Sequence, residues 1–77
     1  MSYLEFKEMP AAFKSGKTKV FAVLNTLAQI PLGTVRFHGA WRKYVFMPED
    51  RTIFDPDCLQ EILVFTREQT TKWRESL

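Results

Sequence analysis

The sequence predicts an α+β domain: a three-stranded antiparallel meander, β-β-β, with one C-terminal helix packed on one face. Two patterns carry this expectation. One is an apolar stripe at three- and four-residue spacing that follows Asp55-Pro56, and the other is a set of β-prone runs broken by glycine and proline. The chain has 77 residues and buries only roughly 60–65% of the surface its unfolded form exposes, so one domain fits and an interdomain cleft does not.

The first fifteen residues read two ways. Leu4 and Phe6 alternate like a strand, whereas Pro10 to Lys14 followed by Ser15-Gly16 suits a single helical turn with a C-terminal glycine. Residues 1–16 are therefore an N-terminal segment of open assignment, 17–54 the sheet, and 56–75 the helix. Lys17 to Asn25 is rich in Val, Phe and Thr and suits a strand. Leu32 to His38 and Trp41 to Met47 are two further β-prone runs separated by Gly39-Ala40, a two-residue loop with glycine where a type II′ turn needs it. Thr52 to Phe54 either adds a short fourth strand or leads directly into the helix.

The helix start is the most specific local signal. Asp55 is placed to cap it, Pro56 occupies the first helical position where its missing N–H costs nothing, and Asp57 complements the dipole. Phe54 and Leu59 stand at the two positions of a hydrophobic staple. Beyond them Leu59, Ile62, Leu63, Thr66, Thr70 and Trp73 form one stripe, widened by Cys58, Phe65 and Gln69.

Eleven Lys and Arg against nine Asp and Glu give a net charge of +2, too small by itself to mark a nucleic-acid binder. Local placement must carry any electrostatic reading. Cys58 is the sole cysteine, which excludes an intrachain disulfide and suits a reducing compartment. No apolar run reaches the roughly 18–20 residues of a membrane span, and Glu5 and Glu8 stand where a secretion signal would be apolar, so no membrane partner is expected.

A two-residue loop pairs His38 with Trp41, Arg36 with Lys43 and Val35 with Tyr44. One face then carries Val35, Phe37, Tyr44 and Phe46, the natural surface for the helix stripe. The other carries Thr34, Arg36, His38, Trp41, Lys43, Val45 and Met47. Arg36 and Lys43 are expected directly opposite each other, where like charges repel, so something must offset them. In the plainer reading the two side chains splay into solvent, or Arg36 stacks on Trp41. In the functional reading Arg36, His38, Trp41 and Lys43 form a platform for an anionic, π-rich ligand, a nucleotide or single-stranded nucleic acid. In a third, Trp41, Val45 and Met47 are covered by a protein partner or a second copy of the chain.

Catalysis is not expected. Cys58 in the first helical turn and His38 fall on opposite sides of the sheet, with no third group to orient them. One His and one Cys match no metal-ligand spacing, and Gly16, Gly33 and Gly39 stand too far apart for a phosphate loop, so no cofactor or metal is expected.

Gly33, Gly39, Trp41, Arg42, Tyr44, Phe46, Pro48, Phe54, Cys58 and Leu59 together resemble the pattern of a family of short uncharacterised phage and prophage proteins: a Leu-Gly hairpin strand, a Gly-Pro-Trp-Arg turn, an aromatic strand ending in Pro and a Cys-Leu helix start. His38 replaces the pattern's Tyr and Ala40 its Pro. The resemblance covers nearly half the chain and implies a phage origin and the host cytoplasm, without supplying an activity. Small phage proteins of this size commonly act by stoichiometric binding. The leading expectation is thus a non-enzymatic accessory protein that binds nucleic acid or a nucleotide. The alternative is a protein-interaction module that inhibits a host defence complex, of anti-CRISPR or related type, or assembles with itself.

Overall fold

The computed structural model describes residues 3–9 and 18–76. Within them the chain forms a four-stranded antiparallel sheet in sequence order, comprising β1 (Leu4–Glu8), β2 (Val20–Asn25), β3 (Pro31–His38) and β4 (Lys43–Pro48), followed by helix α1 (Pro56–Glu75). The α+β class and the single C-terminal helix agree with the sequence. The strand count does not, because Leu4–Glu8 adds a strand to the edge of β2, with Phe6 opposite Val23. The strand reading of Leu4 and Phe6 is thus the one the chain adopts, and its three charged residues of five discourage further strands from pairing at that edge. The alternative helical turn at Pro10 to Lys14 lies outside the described residues. Thr52 to Phe54 form no strand and lead into α1.

The helix forms as its sequence dictates. Asp55 is extended and its carboxylate accepts from the Cys58 N–H at 2.8 Å, with Pro56 in the first turn. This bond holds the Asp55 carboxyl below its ordinary range. The inward stripe is Cys58, Ile62, Phe65, Thr66, Gln69, Thr70 and Trp73, whereas Leu59 and Leu63, expected in it, stay at the exposed flank. Phe54 turns its ring edge-on to Phe46, at 5.2 Å.

Alternation along the strands sends one aromatic or more from each to the helix. Phe6 stacks on Phe65 at 4.0 Å, and Phe21 meets the same ring edge-on at 4.9 Å. Phe37 packs on Tyr44 and, at 4.6 Å, on Trp73. Leu4, Phe21, Val23, Val35, Tyr44 and Ile62 are the buried core. Phe46 passes over Gly33, where an added Cβ would lie 2.8 Å from the ring and collide with the Met47 carbonyl oxygen. Only glycine leaves room for that ring and carbonyl.

Phe46 near Phe54 and Trp73 over Phe37 fix the helix direction: α1 starts beside the exit of β4 and ends over the β3–β4 hairpin. The charges are consequently polarised. Arg36, Arg42, Lys43, Lys72 and Arg74 outnumber Glu75 at the hairpin end, while Glu49, Asp50, Asp55 and Asp57 outnumber Arg51 at the other.

Candidate basic and aromatic site at the hairpin tip

The β3–β4 connection differs from the expected two-residue turn. The His38 carbonyl oxygen accepts from the Trp41 N–H at 3.2 Å and from the Arg42 N–H at 2.8 Å, making a four-residue loop of Gly39, Ala40, Trp41 and Arg42. Arg42 adopts the left-handed conformation, with φ 55°, and Gly39 does not have positive φ. A left-handed non-glycine residue costs about 1–2 kcal/mol. Part of that is offset here because the turn carries the Arg42 guanidinium over the Trp73 ring, 5.7 Å from its centroid.

This loop moves the register by two residues. His38 pairs with Lys43, Arg36 with Val45 and Val35 with Phe46, so the expected opposition of Arg36 and Lys43 is corrected. The two cations are not directly opposed, so they do not repel as a cross-strand pair. The faces themselves survive, since a shift of two preserves a side-chain period of two. Val35, Phe37, Tyr44 and Phe46 still meet the helix, and Thr34, Arg36, His38, Lys43, Val45 and Met47 still share the helix-free face.

Trp41 therefore sits in the loop rather than on a strand. It is 63% exposed and stacks on His38, with ring centroids 4.5 Å apart and planes 29° from parallel. Lys43 is the cross-strand neighbour of His38, and Arg36 precedes His38 by two residues on the same face. The four residues singled out from the sequence are thus gathered at one place by a geometry other than the expected one: Trp41 is held by His38 rather than placed opposite it. Val45 and Met47 continue the same face, half-buried and exposed respectively, and are separated from Val20 and Ala22 of β2 by Arg36 and Thr34 of β3.

Tyr44 anchors the site from beneath. Its hydroxyl accepts from the Lys19 N–H, its own N–H donates to the Thr70 hydroxyl, and Thr70 donates in turn to the Thr66 carbonyl, all at 2.9 Å. This relay ties the edge of β4 to the helix and satisfies a backbone donor that an edge strand otherwise presents to solvent. Between β4 and α1 runs a groove of about 430 Å³ lined by Lys43, Tyr44, Leu63, Thr66, Arg67, Thr70, Thr71 and Arg74. The sequence places neither Arg67 nor Arg74 in a site, Arg74 serving there only to complement the helix dipole, although a separation of two helical turns aligns them on one flank.

Cys58 packs against the core on the helix side, away from His38. Burial and the Asp55 carboxylate push its thiol above the ordinary range, the opposite of an activated nucleophile. Among the described residues no group of three His, Cys, Asp or Glu is placed to hold a metal ion, and no helix is long and apolar enough to cross a membrane. Comparison with known proteins finds no matching family model, no matching curated protein and no matching solved structure.

Proposed function

We propose that the protein is a non-enzymatic binder of a phosphate-bearing, aromatic ligand, a nucleotide or nucleic acid, engaged at the hairpin tip by Arg36, His38, Trp41 and Lys43. The observation that carries this reading is the exposed Trp41 ring, held by stacking on His38 with Lys43 across the strand pair. An indole already oriented loses little rotational freedom when a base stacks on it, and a neighbouring cation adds attraction for the phosphate. In this role it is a phage-type accessory protein of the host cytoplasm that acts by stoichiometric binding.

The test is a double charge reversal, Arg36→Glu with Lys43→Glu, compared with Trp41→Ala at the exposed position. Both proteins retain the parent's circular dichroism; the charge reversal abolishes binding of oligonucleotides and nucleotides, and Trp41→Ala weakens it. Undiminished binding by Trp41→Ala, or a parent that binds neither class of ligand, would make the reading wrong.

A second reading draws on Val20, Ala22, Val45 and Met47, apolar positions interleaved with Arg36 and Thr34 on the face opposite α1. A host protein complex or a second copy of the chain would cover it together with Trp41. Light scattering across concentration separates the two, as does salt, because phosphate binding weakens steeply with salt and an apolar interface does not.

A further inference from the structure

Among the grooves that flank α1 in the described residues, two differ in charge. The one beside β1 is lined by Phe6, Gln60, Glu61, Val64, Phe65 and Glu68, with two glutamates and no cation. The one beside β4 carries Lys43, Arg67 and Arg74 and no carboxylate. A polyanion is repelled from the first and drawn to the second. Lys43 belongs to the second groove and is also the cross-strand neighbour of His38, on which Trp41 stacks. The aromatic tip and the cationic groove are therefore contiguous around the open edge of the sheet.

We infer that the ligand is a single-stranded nucleic acid several nucleotides long, which stacks a base on Trp41 and lays its neighbouring phosphates past Lys43 into the groove between β4 and α1, toward Arg67 and Arg74. This rests on the tip reading and extends it. A mononucleotide reaches the tip alone, and cations in a groove beyond the tip are rewarded only by further phosphates. A duplex keeps its bases stacked internally and has no free face to offer the indole. An added β-strand is disfavoured because the Tyr44 N–H, which points into this groove, is already bonded to Thr70. The threonines add polar lining without negative charge. Three phosphates neutralised by Lys43, Arg67 and Arg74 correspond to a slope of log affinity against log salt near −2, from about −0.7 per contact.

Fluorescence anisotropy with deoxythymidine and uridine oligomers of one, about four and about eight nucleotides tests this across a salt series. The parent binds the longer oligomers of one or both sugars at least tenfold more tightly than the mononucleotide, and more tightly than a duplex of equal length. Arg67→Gln with Arg74→Gln reduces oligomer affinity and makes the salt slope shallower by about 1.4, without changing mononucleotide affinity. Thr71→Glu, which removes no cation and places a carboxylate in the groove, weakens the oligomer in the same way. Affinity that is independent of length, equal for duplex and single strand, or untouched by both groove variants overturns the groove while leaving the tip reading standing. If neither mononucleotide nor oligomer binds, both fall. Binding of one sugar and not the other identifies DNA or RNA as the source of the strand.

Discussion

The two faces of the sheet use the same residue types for different ends. On the helix side Phe6, Phe21, Phe37, Tyr44 and Phe46 interlock with Phe54, Phe65 and Trp73, and their rings are buried or half-buried. On the other side Arg36, His38 and Lys43 stand among Val20, Ala22, Val45 and Met47, with no second layer of secondary structure over them among the described residues. Trp41, the most exposed aromatic ring among the described residues, stands over this face. A domain this small has little apolar area to spare for its core. Leaving an indole outside it separates the surface that holds the fold from the surface available to a ligand.

Substitutions should therefore sort by face. Ile62→Ala removes the one buried helix side chain and should cost about 2–5 kcal/mol, a large share of the stability of a small domain, read as a loss of denaturation midpoint. Trp41→Ala should do the reverse. It leaves the midpoint within about 0.5 kcal/mol of the parent and weakens ligand binding by about 1–3 kcal/mol, measured by titration calorimetry. A large stability loss in that variant would mean that Trp41 belongs to the fold and that the faces are not separable.

Thr70→Val, which keeps the shape and deletes the hydroxyl, leaves the Tyr44 N–H without its partner and should destabilise by about 1 kcal/mol. Hydrogen exchange at the Tyr44 amide should accelerate more than at Val35, which lies in the interior strand. The smallest effect belongs to Asp55, outside both faces. Its carboxyl has a lowered pKa when folded, so its contribution is present above the unfolded value of 3.8 and is lost as pH falls through the lower folded value. Asp55→Asn should be slightly less stable than the parent near neutrality, and the gap in urea midpoint should close as the solution is acidified below about pH 5. A gap that widens on acidification would contradict the assigned role of the cap.

Much of this partition was legible in the sequence. Asp55-Pro56 announces the helix because capping is local chemistry, and the core face of β3 and β4 follows from alternation. Two features were less legible. Strand β1 gains its place from non-local pairing with β2 and from the Phe6–Phe65 stack, neither of which a short, charged segment advertises. The hairpin register depended on whether Gly39-Ala40 closes a tight turn, and the His38 carbonyl, shared by the Trp41 and Arg42 amides, makes the wider loop instead. The side-chain period of two kept Arg36, His38 and Lys43 on one face despite that difference. Arg67 and Arg74 could have been found from their spacing, yet their relation to Lys43 depends on where α1 crosses β4.

The central claim is that the tip, and not the rest of the open face, meets the ligand. A backbone and indole NMR titration of the parent with a short single-stranded oligonucleotide tests it most directly. The account predicts saturable shifts at the Trp41 indole N–H and at the amides of Arg36, His38 and Lys43, with little change at Glu49 to Ile53, at the acidic end. Shifts centred on Ala22 and Met47 with Trp41 unmoved, or no shifts at any residue, would contradict it.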